Sequence, residues 1–151
     1  DSKLSEHSNE MISAFEQGGI QVKRAESLDE VLWRKLCWNI PFNGLAIACG
    51  GITTDRILSD PKHQSRARRL MDEIQDAAFL HGIIIEDSFL VKQFDLTEPM
   101  GPYKPSSLID FLNEKPVEVE AIWGVPLRRG KSKGLQMKEL QKLYDELRTL
   151  T

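Results

Sequence analysis

Val31-Leu32-Trp33-Arg34-Lys35-Leu36-Cys37-Trp38-Asn39-Ile40-Pro41-Phe42-Asn43-Gly44-Leu45-Ala46-Ile47-Ala48 is the stretch on which the reading of this chain turns. It is far longer than a strand of the usual size, about 5–6 residues, and it carries the marks of helix ends. Ser27 stands three residues before Glu30, the pattern of a capping box, and Gly50-Gly51 follows as a stop. Lys35, Asn39 and Asn43 recur every four residues, which places all three on one helical face. An ammonium and two carboxamides among Leu, Ile, Ala, Phe and Trp need water or partners, because burying them unpaired is costly. The stripe therefore reads as the lining of a cleft. The alternative is a surface helix whose Lys and Asn face water, against which the flanking Trp33 and Trp38 weigh. Pro41 should kink the helix beside the stripe, since it lacks a backbone donor and crowds the preceding turn.

Outward from this helix the chain continues helical on its C-terminal side. Thr53 or Thr54 caps a short turn, and Asp60-Pro61 opens a helix whose buried stripe is Ala67, Leu70, Met71, Ile74, Ala77 and Ala78. Ile83-Ile84-Ile85 can pass for a short strand, but Asp87 starts another helix carrying Phe89, Leu90 and Phe94. A turn-rich loop over 100–105 precedes helices expected over 106–113 and 119–133, and from Gln136 onward with Leu140, Leu143, Tyr144 and Leu147 inward. On the N-terminal side, an amphipathic helix over 4–17 ends at Gly18-Gly19, and Ile20-Gln21-Val22 alternates as a strand does. No convincing second strand exists to pair with it, so its sheet is expected to lie outside this sequence. The fold class expected is all-α, with a helix-strand remnant at residues 1–26.

Length and composition bound the function classes. At 151 residues there is room for one well-packed core. A net charge of -3 argues against nucleic acid as the main ligand, and no apolar run approaches the roughly twenty residues of a membrane span. Cys37 and Cys49 lie too far apart along one helix to pair, and read as free, buried thiols of a reducing compartment. No secretory leader is visible near Asp1, and the start without Met at a polar segment reads as a piece of something longer. His7, His63 and His81 are scattered, so no metal site is expected. Gly18-Gly19 and Gly50-Gly51 lack the spacing of a dinucleotide-binding loop, and no serine stands in a nucleophile elbow.

The chemistry that remains is carried by few residues. A lysine held among carboxamides in a partly desolvated cleft can donate a proton to a carbonyl oxygen as hydride reaches the carbon. Lys35 with Asn39 and Asn43 fits that role. Ser106, at the start of a helix, offers a hydroxyl to a substrate carboxylate, or is a plain helix cap. Glu118 can bind a ribose or steady the lysine, or is a surface glutamate in a first helical turn. Arg128-Arg129 and Lys131 read as a solvated basic last turn.

Three motifs in order, Leu32-Trp33-Arg34-Lys35-Leu36 with Asn39 and Asn43, Tyr103-Lys104-Pro105-Ser106-Ser107-Leu108, and Glu118-Val119-Glu120-Ala121-Ile122-Trp123-Gly124 running into Pro126-Leu127-Arg128-Arg129-Gly130, resemble the ketopantoate reductase (2-dehydropantoate 2-reductase) family. The likeness is to its C-terminal helical domain, of the 6-phosphogluconate-dehydrogenase-like type. The resemblance implies a cytoplasmic oxidoreductase that reduces 2-dehydropantoate to pantoate with NADPH, on the route to pantothenate and coenzyme A. It implies Lys35 as general acid, Asn39, Asn43 and Ser106 on the substrate, and Glu118 on the ribose side of the cofactor. A further substrate-contacting position, asparagine in some members, falls at Thr53, so that role is not carried over. Residues 1–26 then correspond to the trailing helix and strand of a nucleotide-binding Rossmann domain, and 27–151 to the substrate-binding and dimerisation domain. Such a piece holds half an active site, is expected inactive alone, and has its own Rossmann domain and a homodimer mate as partners. The alternative is an all-helical dimerisation module of a related NAD(P)-dependent reductase acting on another 2-oxo acid.

Overall fold

The computed structural model describes residues 2–22 and 27–151. Helix α1 (Ser2–Gln17) ends at Gly18-Gly19, where Gly19 takes φ +78° and the N–H of Ile20 returns to the carbonyl of Phe15 at 2.9 Å. Residues 20–22 do not form the strand expected of them. They have no ladder partner among the described residues, and an extended segment without one has nothing to hold it as a strand. Residues 23–26, within the expected N-terminal remnant, lie outside the described residues.

Helix α2 (Leu28–Ala48) begins as the capping pattern requires: the hydroxyl of Ser27 accepts the N–H of Glu30 at 3.1 Å. It runs through Pro41 as one element and is buried at every position from Ile40 to Ile47. A helix enclosed on every side over its second half belongs at the centre of a fold, and α2 is the element around which the others assemble. Helices α3 (Thr54–Ser59) and α4 (Pro61–Leu80) follow. The carboxylate of Asp60 accepts the N–H groups of Lys62 and His63, and Pro61 occupies the first helical position, so α4 starts where its sequence says. Its stripe, Ala67, Leu70, Met71, Ile74, Ala77 and Ala78, is fully buried and packs against α2. Residues 83–86 are coil, with Ile85 inward and Ile84 exposed.

Helix α5 (Asp87–Thr97), a 3-10 turn (Glu98–Met100) and α6 (Ser106–Leu112) complete one side. The helix expected over 119–133 forms with a defect: a π turn (Glu120–Gly124) leads into α7 (Val125–Ser132). Pro126 supplies the cause. It has no N–H to give, and its ring crowds the carbonyl four residues earlier, that of Ile122, which the wider turn relieves. Helix α8 (Lys138–Leu150) starts two residues later than the sequence suggests, because Met137 is left-handed at φ +47°. Its side chain fills the space over Gly130, where an added Cβ would lie 1.9 Å from the methionine sulfur. The basic turn read as solvated is partly committed. Arg129 grips Asp29 at 2.9 and 3.2 Å and lies over the Trp33 ring at 4.9 Å, tying α7 to the first turn of α2. Trp33 in turn stacks on His81, with ring centroids 5.5 Å apart.

Candidate functional site around Lys35

The polar stripe descends from solvent into the core. Lys35 is exposed, Asn39 is half-buried, and Asn43 is 1% exposed. The change follows from α2 itself, whose first turns lie at the surface and whose second half is enclosed. The charged neighbours of Lys35 on this helix are spoken for. Asp29 holds Arg129, and Arg34 pairs with Glu30 at 2.9 Å, reaches the carbonyl of Ile84 at 3.3 Å and lies 5.0 Å over the Phe89 ring. The ammonium of Lys35 and the carboxamide of Asn39 make no hydrogen bond or ion pair with any described residue.

Asn43 is different. Its Oδ1 accepts the backbone N–H of Ser107 at 2.9 Å, in a buried contact between α2 and α6. The residue at the start of α6, Pro105, has no side chain that can cap it, so Asn43 supplies from α2 the acceptor that α6 lacks. Ser106 is thus not the helix cap of the bland reading: its hydroxyl is exposed and unpartnered among the described residues. Stripe members lie about 6 Å apart along the axis, at 1.5 Å per residue. Of the three, Asn43 holds the neighbouring helix, while Lys35 and Asn39 stay open among the described residues.

The segment leading to Ser106 crosses this face. Tyr103 packs beside Trp38 with ring centroids 6.4 Å apart, and Ser107 is bound by Asn43. At about 100° per residue, Trp38 lies roughly 60° to one side of Lys35 and Asn43 roughly 80° to the other. Residues 103–107 therefore span the sector of α2 that holds Asn39. Trp38 is itself fixed, its indole N–H donating to Thr97 Oγ1 at 2.8 Å and its ring stacking on Phe42 at 5.2 Å. Glu118 comes from the flank. It is exposed, its carboxylate makes no hydrogen bond or ion pair with any described residue, and it stands just ahead of the π turn, whose Trp123 donates its indole N–H to the carbonyl of Ile40 at 3.0 Å. Gly44 permits that approach, since a Cβ there would lie 2.8 Å from Trp123 Nε1 and 2.6 Å from Leu143 Cδ2. No hydrogen bond or ion pair joins Glu118 to Lys35, Asn39 or Ser106. The hydroxyl of Thr53 is turned to Asp55, within its own turn.

Residues 27–151 match the family model described as "Ketopantoate reductase PanE/ApbA C terminal". The chain belongs to the ketopantoate reductase family, as its C-terminal domain. It is 36% identical over 136 residues to a 2-dehydropantoate 2-reductase of Nostoc sp. (strain PCC 7120), covering 90% of this chain and 42% of that protein. Among solved structures, 2-dehydropantoate 2-reductase from Geobacter metallireducens is similar with a TM-score of 0.89 and 32% identity, over 95% of this chain and 48% of that one. The enzyme of Methylococcus capsulatus gives a TM-score of 0.87 and 32% identity, over 94% of this chain and 45% of that one. The ketopantoate reductase domain seen here thus spans less than half the length of these relatives, which are oxidoreductases.

Sequence reasoning missed two parts of this ketopantoate reductase domain. Trp38 was legible only as a flanking aromatic and Tyr103 only as part of a turn-rich motif, and their pairing across elements distant in sequence is a tertiary fact. The anchoring of α6 by Asn43 also had no local signal, since an Asn at helical spacing looks the same whether it meets a ligand or a backbone N–H.

Proposed function

We propose that this chain is the substrate-binding half of an NADPH-dependent 2-dehydropantoate 2-reductase, with Lys35 as the general acid. Asn39 and Ser106 contact the 2-oxo acid, Asn43 acts at the foot of the same face, and Glu118 meets the ribose side of the cofactor. The observation that carries the reading is the uncommitted ammonium of Lys35, exposed on a helix whose other charged residues are paired and whose face is crossed by the segment bearing Ser106. Residues 1–26 belong, on this reading, to a nucleotide-binding domain that closes the cleft. The exposed apolar side chains Met11, Phe15 and Ile20 support that, as surface awaiting cover.

The residues present fit part of a nicotinamide nucleotide. Glu118 offers acceptor oxygens with no partner among the described residues, which suit sugar hydroxyls and not phosphates. A bound NADPH supplies the hydride. Lys35 Nζ gives its proton to the carbonyl oxygen as the carbon is reduced, so the C=O π pair ends as an O–H bond and the product is a 2-hydroxy acid. The neutral amine then regains a proton from solvent. Ser106 and Asn39 hold the substrate so that its carbonyl oxygen faces Nζ.

Steady-state reduction of 2-dehydropantoate by the full-length enzyme, with NADPH and with NADH, beside its Lys35→Ala variant tests this. A fall in kcat of about a hundredfold or more is expected for the variant. Turnover within a few-fold of the parent removes Lys35 from the acid role. Activity confined to other 2-oxo acids keeps the chemistry and replaces the substrate.

A further inference from the structure

The segment that carries Ser106 is held at both ends. At its far end stands Asn43, with Oδ1 on the N–H of Ser107 at 2.9 Å. At its near end stands Thr54, the first residue of α3 and fully buried. The Thr54 hydroxyl donates to the carbonyl of Gly101 at 2.9 Å and lies 3.3 Å from that of Tyr103, while its N–H donates to the Tyr103 carbonyl at 3.0 Å. The N–H of Asp55 also reaches the Gly101 carbonyl, at 3.2 Å. Gly101 turns the chain there with φ +61°, a conformation glycine adopts at least cost. Between the two anchors lie only Lys104, Pro105 and Ser106, and Pro105, buried with φ -60°, removes further freedom.

We propose that Thr54 is a positioning residue for 2-oxo acid binding: it fixes residues 101–103, and so sets where the strap delivers the Ser106 hydroxyl over the Lys35 and Asn39 face. The inference rests on the reading of Ser106 as a substrate contact. Thr54 itself touches neither substrate nor cofactor. Its hydroxyl is satisfied by the Gly101 carbonyl, with that of Tyr103 beside it, and makes no other hydrogen bond among the described residues. Valine at this position keeps the shape and the backbone N–H bond but removes the donor. Serine keeps the donor.

The test is made on the full-length enzyme with Thr54→Val, Thr54→Ser, Ser106→Ala and the Thr54→Val/Ser106→Ala pair. Thr54→Val should raise KM for the 2-oxo acid about tenfold, the worth of roughly one hydrogen bond. Its kcat and its KM for the nucleotide should stay within about twofold, below the scale of one such bond. Thr54→Ser should restore the parent values, and the pair should show no more than the Ser106→Ala effect, since both act through one contact. Amide hydrogen exchange over 101–108 should quicken in Thr54→Val while the rest of the protein keeps its protection. Additive effects in the pair, or unchanged exchange over 101–108, overturn the proposal. If Ser106→Ala leaves KM unchanged, the reading of Ser106 as a substrate contact fails. Quickened exchange in Thr54→Val then still marks the clamp as real, with a different group as its cargo.

Discussion

Asn43 illustrates how one side chain can join the core to the site. Its carboxamide is nearly inaccessible, yet it stands in the same stripe as an exposed lysine, and the apparent conflict is resolved by the Ser107 N–H it accepts. Asn43→Ala leaves that buried donor without an acceptor, which should cost about 1–3 kcal/mol. Urea unfolding of the variant reads this directly, and a change within about 0.5 kcal/mol, the scale of an ordinary surface substitution, would show that water takes over the bond. The stripe's spacing was legible in the sequence. What the spacing could not tell was which of the two asparagines is committed to a backbone N–H, because that depends on a residue 64 positions away.

At the scale of elements, the ends of helices divide into those written locally and those imposed from outside. Ser27 and Asp60 cap α2 and α4 from the positions a sequence reader would choose. Helix α8 has no such start: Met137 is left-handed and offers no side-chain acceptor. Glu73, from the middle of α4, supplies both acceptors, its two carboxylate oxygens taking the N–H groups of Glu139 at 2.9 Å and Leu140 at 2.8 Å. Glu73→Ala should therefore cost about 0.5–2 kcal/mol, the worth of a lost N-terminal cap. Amide exchange should quicken first at the start of α8. An unchanged unfolding midpoint would mean that α8 is held by Leu140, Leu143 and Leu147 alone. The π turn before Pro126 belongs with this group in part. The proline was visible, but the bond from Trp123, within that turn, to the carbonyl of Ile40 was not.

For the molecule as a whole, the enclosure of α2 has a thermodynamic signature at alkaline pH. Burial pushes the Cys37 thiol up from 9.0 to about 12, with the positive charge of Arg34 and a backbone contact only partly opposing it. The folded protein thus favours the neutral thiol, whereas the unfolded chain releases the proton near the ordinary value. The contribution is fully present below pH 9 and is lost progressively as pH rises from there toward 12. The slope is at most about 1.4 kcal/mol per pH unit. Unfolding free energies of the parent and of Cys37→Ala, compared at several pH values between these limits, should converge as pH rises. A constant difference would show the thiol titrating alike in both states. Cys49, also raised by burial but only half-buried, departs from the expectation of two buried thiols, since it sits where α2 emerges at its C-terminal end.

By itself the sequence determined the all-helical class, the central helix and its cap, the stripe of Lys35, Asn39 and Asn43, and the family to which the three ordered motifs belong. These are properties of spacing along one element, where each residue's neighbours are its own helical turn. Only the tertiary structure decided that α8 starts under the control of Glu73, that Arg129 braces α2, and that Asn43 and Thr54 hold the segment bearing Ser106. In each case the deciding partner is remote in sequence. A buried polar group is satisfied by whatever donor or acceptor the packing brings to it, and that choice leaves no periodic trace in the chain.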